Sequence, residues 1–163
     1  MSITQVSKSC CDDDLEIKIP FGISIDISNS SVGSGDIEIS DIKDEIVIST
    51  SYGDVKLNDV SGPMAIKTVY GDIEAVSSSI PSDGSISLYS VYGLLDFSIP
   101  QNAKSNIEIS TPYGEILTNA DIDISTNSGM KRISSRKMRG TINGGGLDIT
   151  LKSGYKNVYL RTK

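Results

Sequence analysis

Apolar and polar residues alternate in short runs along this chain, and the runs recur. "EIVIST" leads into "SYGDVKLN", "MAIKT" into "VYGDIEAV", "ISLYS" into "VYGLLDFS" and "IEIST" into "PYGEILTN". A period of two is the signature of a strand with one buried face. The repeated glycines Gly53, Gly71, Gly93 and Gly114 stand 18, 22 and 21 residues apart. Before each tyrosine the apolar residues fall at odd distances from the glycine, and after it they fall at even distances. That change of parity requires a bend or bulge at the glycine, the residue that best tolerates one. Each unit therefore reads as a strand, a sharp corner and a second strand. A turn rich in Asn, Ser, Pro and Gly follows, as in "NDVSGP" and "SIPQNAK".

A unit of about twenty residues cannot bury its own apolar face, but it can do so by stacking on its neighbours. The pattern predicts an all-β fold, a parallel β-helix or β-solenoid of six or seven coils stacked in chain order. No helical periodicity is present, so no α-helix of consequence is expected. The end units are degenerate, as capping coils are: Ser34 stands in the first tyrosine slot, and Lys156 follows Tyr155 where glycine is due. "RGTINGGG" from Arg139 reads as one further coil, and "LEIKI" and "GISIDI" read as N-terminal cap strands broken at Pro20. Residues 15–163 form a single solenoid domain in this reading, and residues 1–14 a flexible acidic tail.

Composition narrows the class. The length of 163 residues, with 37% hydrophobic and 22% charged residues, fits one soluble globular domain. No apolar run approaches the ~18 residues of a transmembrane segment, and the N-terminus shows no signal-peptide h-region. The net charge of −6 argues against nucleic acid as a partner. Charge is uneven: residues 1–59 hold 12 acids and 4 bases, while residues 121–163 hold 3 acids and 9 bases. Such polarity steers partners or aligns copies. Cys10 and Cys11 are adjacent and form neither a metal nor a disulfide signature.

Candidate chemistry is sparse. Histidine is absent, which removes the commonest general base and metal ligand. No catalytic residue, metal site or cofactor is expected. Asp36, Asp54, Asp72 and Glu115 follow the corner glycine slot and would stack as a carboxylate ladder, with Leu94 as a gap. A turn also uses acids there to accept backbone amide hydrogen bonds, and that reading is favoured. Tyr52, Tyr70, Tyr92 and Tyr113 are candidate binding residues. If exposed, they form an aromatic strip for sugars or a protein surface. Alternation instead puts them on the side of the inward Ile and Thr, which favours corner packing. The basic run Lys131, Arg132, Arg136, Lys137 and Arg139 is the other binding candidate, for an anionic glycan, lipid headgroup or nucleic acid, against a solvated loop.

The strand–Gly-Asp-Ile units closing on "GTINGGGLDITLKSGYKNVYLRTK" resemble the "putative adhesin" family of bacterial β-strand-repeat envelope proteins. The similarity runs from about residue 15 to residue 163. It implies a single-stranded, right-handed parallel β-helix and an envelope or extracellular setting, with no catalytic residues attached. Two departures are the absent export signal, which leaves a cytoplasmic location open, and Lys156 in the last glycine slot. The expected function is a non-enzymatic surface module for adhesion, with a glycan or cell-surface protein as partner. The alternatives are a scaffold self-associating through its solenoid ends and, behind it, a carboxylate-based polysaccharide-degrading enzyme.

Overall fold

The computed structural model describes residues 16–32, 35–124 and 136–163. Strands arise where the alternation predicts them. They are β1 (Ile25–Asn29), β2 (Ile37–Ser40), β3 (Ile46–Thr50), β4 (Val55–Val60), β5 (Met64–Thr68), β6 (Ile73–Ser77) and β7 (Ser85–Ser90). They continue as β8 (Leu95–Ile99), β9 (Ser105–Ser110), β10 (Ile116–Thr118), β11 (Lys137–Ile142), β12 (Leu147–Ser153) and β13 (Val158–Thr162). No helix occurs among the described residues. One sheet runs β1-β3-β5-β7-β12-β9-β11 and the other β10-β13-β8-β6-β4-β2, so each strand pair contributes one strand to each sheet. All pairings between these strands are parallel except β11 against β9, and Asp123 bridges Thr141 of β11 in the antiparallel sense.

The core fills the space between the sheets with rows of equivalent residues. Ile46, Met64, Ile86, Ile149 and Ile107 form one row, and Ile48, Ile66, Leu88, Leu151 and Ile109 the next. All of them are buried. In the facing sheet Leu57, Ala75, Phe97 and Leu160 align. In this row the small Ala75 stands beside the large Phe97, both fully buried, and alternation of small and large side chains suits close packing.

The stack does not follow chain order. β12 lies between β7 and β9, and β13 lies between β8 and β10, so the last unit is inserted between the fourth and fifth. A repeat cannot encode which neighbour it takes, because every unit offers the same apolar rows. The departure comes at "RGTINGGG", which is a cap strand and a reversal rather than a coil. β11 runs antiparallel over β9, and a turn at Asn143, Gly144 and Gly145, all with positive φ, sends the chain back. Asn143 Nδ2 pins this turn by donating to the carbonyls of Gln101 (3.0 Å) and Ala103 (2.8 Å). The N-terminus also departs from expectation. "GISIDI" supplies β1, but Glu16 to Ile19 form no strand, and Ile17, Ile19 and Phe21 are exposed. Alternation gives a strand a face, but a ladder also needs donors and a partner edge, and Pro20 removes one donor. Ser34, Cys10, Cys11 and the acidic tail lie outside the described residues.

The inserted order predicts which positions can be cross-linked. With Cys10 and Cys11 changed to serine, Ser87→Cys/Thr150→Cys will form a disulfide on mild oxidation, because these residues pair directly across β7 and β12. Ser87→Cys/Glu108→Cys will not, since Thr150 separates them and two strand spacings amount to about 10 Å. Non-reducing peptide mapping distinguishes the two. The opposite result would restore stacking in chain order.

Candidate functional site

From β3 onward a hydroxyl stands at each corner: Thr50 Oγ1 donates to the Tyr52 carbonyl (2.6 Å), Thr68 Oγ1 accepts from the Gly71 amide (3.2 Å), and three further hydroxyls bridge two coils. Ser90 Oγ accepts a hydrogen bond from the Gly93 amide (2.8 Å) and donates to the Gly71 carbonyl of the neighbouring coil (3.0 Å). Ser153 Oγ repeats this with the Lys156 amide (3.1 Å) and the Gly93 carbonyl (2.9 Å). Thr111 Oγ1 does the same with the Gly114 amide (3.0 Å) and the Lys156 carbonyl (2.8 Å). These hydroxyls are buried, so each bond satisfies groups that water cannot reach.

The corner backbones consequently press against one another. A Cβ on Gly71 would sit inside the Gly53 carbonyl, and one on Gly93 inside the Gly71 carbonyl. Glycine is therefore demanded by close approach as well as by the bend. Lys156 occupies the glycine slot of the inserted coil because that coil has moved its glycine two residues earlier. A Cβ on Gly154 would lie 2.5 Å from the Val91 carbonyl.

The tyrosines stand outside this lattice. Alternation fails at the corner, and the rings project into solvent instead of packing inward. Tyr70 is 58% exposed, Tyr92 43%, Tyr155 48% and Tyr113 71%. Together with the partly exposed Tyr52 they form one continuous stack. Successive ring centroids lie 5.2 Å (Tyr52–Tyr70), 5.1 Å (Tyr70–Tyr92), 4.8 Å (Tyr92–Tyr155) and 5.0 Å (Tyr155–Tyr113) apart, with planes within 16° of parallel. Insertion of the last coil places Tyr155 between Tyr92 and Tyr113. Its slot was visible in the sequence, but its place in the order was not. Because the rings cover one another's faces, the comb offers a partner its edges and hydroxyls.

The carboxylate ladder is structural. Asp36 Oδ1 accepts from the Asp54 amide (2.8 Å), Asp54 Oδ1 from the Asp72 amide (2.8 Å) and Asp72 Oδ1 from the Leu94 amide (2.7 Å). Asn157 serves the Glu115 amide in the same way (2.9 Å). Leu94, the gap in the ladder, receives such a bond and passes none on. Among the described residues no group of His, Cys, Asp and Glu is arranged to hold a metal.

The basic run is only partly a loop. Lys131 and Arg132 lie outside the described residues. The carbonyl of Arg136 accepts from the Thr111 amide (2.8 Å), and Lys137 and Arg139 belong to β11. There Lys137 Nζ (3.4 Å) and Arg139 Nη2 (2.9 Å) pair with Glu108 on β9, a partner the sequence did not disclose. The hydrogen bond from Arg139 holds the Glu108 carboxyl below the usual carboxylate range, against the opposing effect of desolvation, and the charges of Arg139 and Lys137 reinforce it.

Three consequences can be measured. Gly71→Ala will cost about 2–4 kcal/mol in chemical denaturation, whereas Lys156→Gly will change stability by about 1 kcal/mol or less. Equal effects would refute the shifted glycine. Ser90→Ala, which orphans two buried backbone groups, will cost about 1–3 kcal/mol. For Glu108 the folded carboxyl titrates below the unfolded one, so its contribution is present above the unfolded value and lost as pH falls through the folded one. Glu108→Gln will therefore be less stable than wild type at neutral pH and equal to it once the folded carboxyl is protonated. Melting curves across pH read this out, and a pH-independent gap would contradict it.

No helix among the described residues is long and apolar enough to cross a membrane. No curated protein matches the chain. A solved structure of a "putative cell adhesion protein" from Clostridium sporogenes ATCC 15579 aligns with 75% of this chain at 13% identity and a TM-score of 0.48. The aligned part is 57% of that protein, so the chain spans little more than half its length. A family model described as Toastrack DUF4097 matches residues 22–155. With the match extending over most of its length, the chain belongs to the Toastrack DUF4097 family.

Proposed function

We propose that this domain is a non-enzymatic interaction module of the bacterial cell surface, an adhesin-type, right-handed β-solenoid that binds partners along its tyrosine comb. The observation that carries this reading is a stack of five rings on one corner, four of them exposed. Exposed aromatics gain little for the fold compared with buried ones, and a continuous row of them is the usual mark of an interaction surface. None of the hydroxyls of Tyr70, Tyr92, Tyr155 and Tyr113 bonds to another described residue, so they are available to a ligand. The use of Asp36, Asp54 and Asp72 as backbone acceptors supports a binding role over a carboxylate-based hydrolase. An envelope or extracellular setting follows from the family resemblance.

The test is binding to a glycan array and to whole bacterial and host cells, comparing wild type with Tyr70→Ser/Tyr155→Ser. Loss of about tenfold or more in affinity, with the melting temperature nearly unchanged, is the expected result. Undiminished binding by the variant, or no binding by either protein, would refute the reading.

Self-association through the solenoid ends is a second reading, favoured by the exposed Ile17, Ile19, Phe21, Ile23 and Val32 at the N-terminal end. Antiparallel β11 interrupts the parallel stack at the other end. Sedimentation should therefore find at most a closed dimer, never a filament.

A further inference from the structure

The outer face of the β1–β11 sheet carries a row of side chains that runs alongside the comb, three residues before each ring. Strand pairing puts Ser49, Lys67, Tyr89, Lys152, Ser110 and Lys137 in line. Lys67, Tyr89, Lys152 and Lys137 are all exposed. Among the described residues no carboxylate pairs with Lys67 or Lys152, and Lys137 has only its exposed pair with Glu108. Cations thus recur at every second strand, about 10 Å apart. Tyr89 stands between the first two, and its ring is outside the comb, so both of its faces are free of other rings. Lys156, beside Tyr155 at the corner, adds a fourth exposed cation without an ion pair among the described residues.

We propose that this row is the subsite for an extended acidic polysaccharide that carries a carboxylate on every second sugar. The proposal rests on the comb being the binding surface, and it names the ligand class. A pyranose ring stacks on Tyr89, the carboxylates on either side meet Lys67 and Lys152, and sugar hydroxyls reach the phenols of the comb. The arrangement suits a sparsely charged polymer. Duplex nucleic acid carries about one charge per 1.7 Å, far denser than these cations. The strands place three carboxylates on this face: Asp26 on β1, Glu108, engaged by Arg139 and Lys137, and Asp148, which accepts from Asn106 (2.8 Å). None of them forms an ion pair with Lys67 or Lys152.

The experiment is calorimetric titration with hyaluronan oligosaccharides, which carry one carboxylate per disaccharide, against neutral chitin oligosaccharides and polyuridylate. Wild type will prefer hyaluronan and lose affinity as salt rises. Lys67→Gln/Lys152→Gln will bind it about tenfold more weakly, Tyr89→Ala about as weakly, and Lys67→Arg/Lys152→Arg will retain binding. All of these positions are exposed, and circular dichroism verifies folding of each variant. Chitin bound as tightly as hyaluronan, indifference to the lysine changes, a preference for polyuridylate, or no binding to any of the three would each overturn the proposal. If hyaluronan binding depends on the lysines but not on Tyr70→Ser/Tyr92→Ser, the anionic subsite stands and the comb reading fails. If the comb variant loses chitin binding while the lysine variant keeps it, the comb reading stands and the subsite fails.

Discussion

Three buried hydroxyls, Ser90, Thr111 and Ser153, each tie the chain to itself and to the adjacent coil, and the geometry around them follows. Ser90 and its equivalents accept from the amide three residues on and donate to the carbonyl of the adjacent corner. At Ser90 that double role accompanies a corner so close to its neighbour that no Cβ fits at Gly93, and the corner at Gly71 is equally close to Gly53. With the corners held at strand spacing, the residue before each glycine slot is repeated at that spacing too, and the tyrosine rings stack. Each stacked pair contributes about 0.5–1.5 kcal/mol beyond area burial, a modest gain beside the core rows. The comb is therefore better understood as a product of the corner lattice than as its cause.

Stacking also determines what the comb can do. Interior rings have neither face free, so along the middle of the comb only edges and hydroxyls are presented. Tyr89, three residues upstream of Tyr92 and flanked by Lys67 and Lys152, is an aromatic outside the comb. Asp36, Asp54 and Asp72, on the far side of the corner, are engaged by backbone amides, whereas Lys67 and Lys152 have no ion pair among the described residues.

Much of the fold was legible because alternation with a fixed corner has few other solutions. The rows of Ile46 to Ile107, the hydroxyl slots and the backbone-capping acids all follow from spacing. The order of the coils was not legible, since identical apolar rows carry no address. Among the described residues, the antiparallel β11 and the Asn143–Gly145 reversal are where the chain departs from sequential stacking. The exposure of the tyrosines was misread because a period of two applies within a strand and lapses at a corner. Glu108, Tyr89 and the lysine row were missed for a different reason. They are assembled by pairing between strands distant in sequence, as when Lys152 comes to lie beside Tyr89.

Native-state hydrogen exchange at the Gly71 and Gly93 amides tests the corner lattice most directly. Both amides donate to buried hydroxyls of their own corners. If those bonds hold the stack in register, the two amides will exchange only through global unfolding, with the same free energy as the core amides of β5 and β7. Exchange at the rate of ordinary turn amides, well below that free energy, would show that the corners open independently and that the hydroxyl lattice does not hold the coils together.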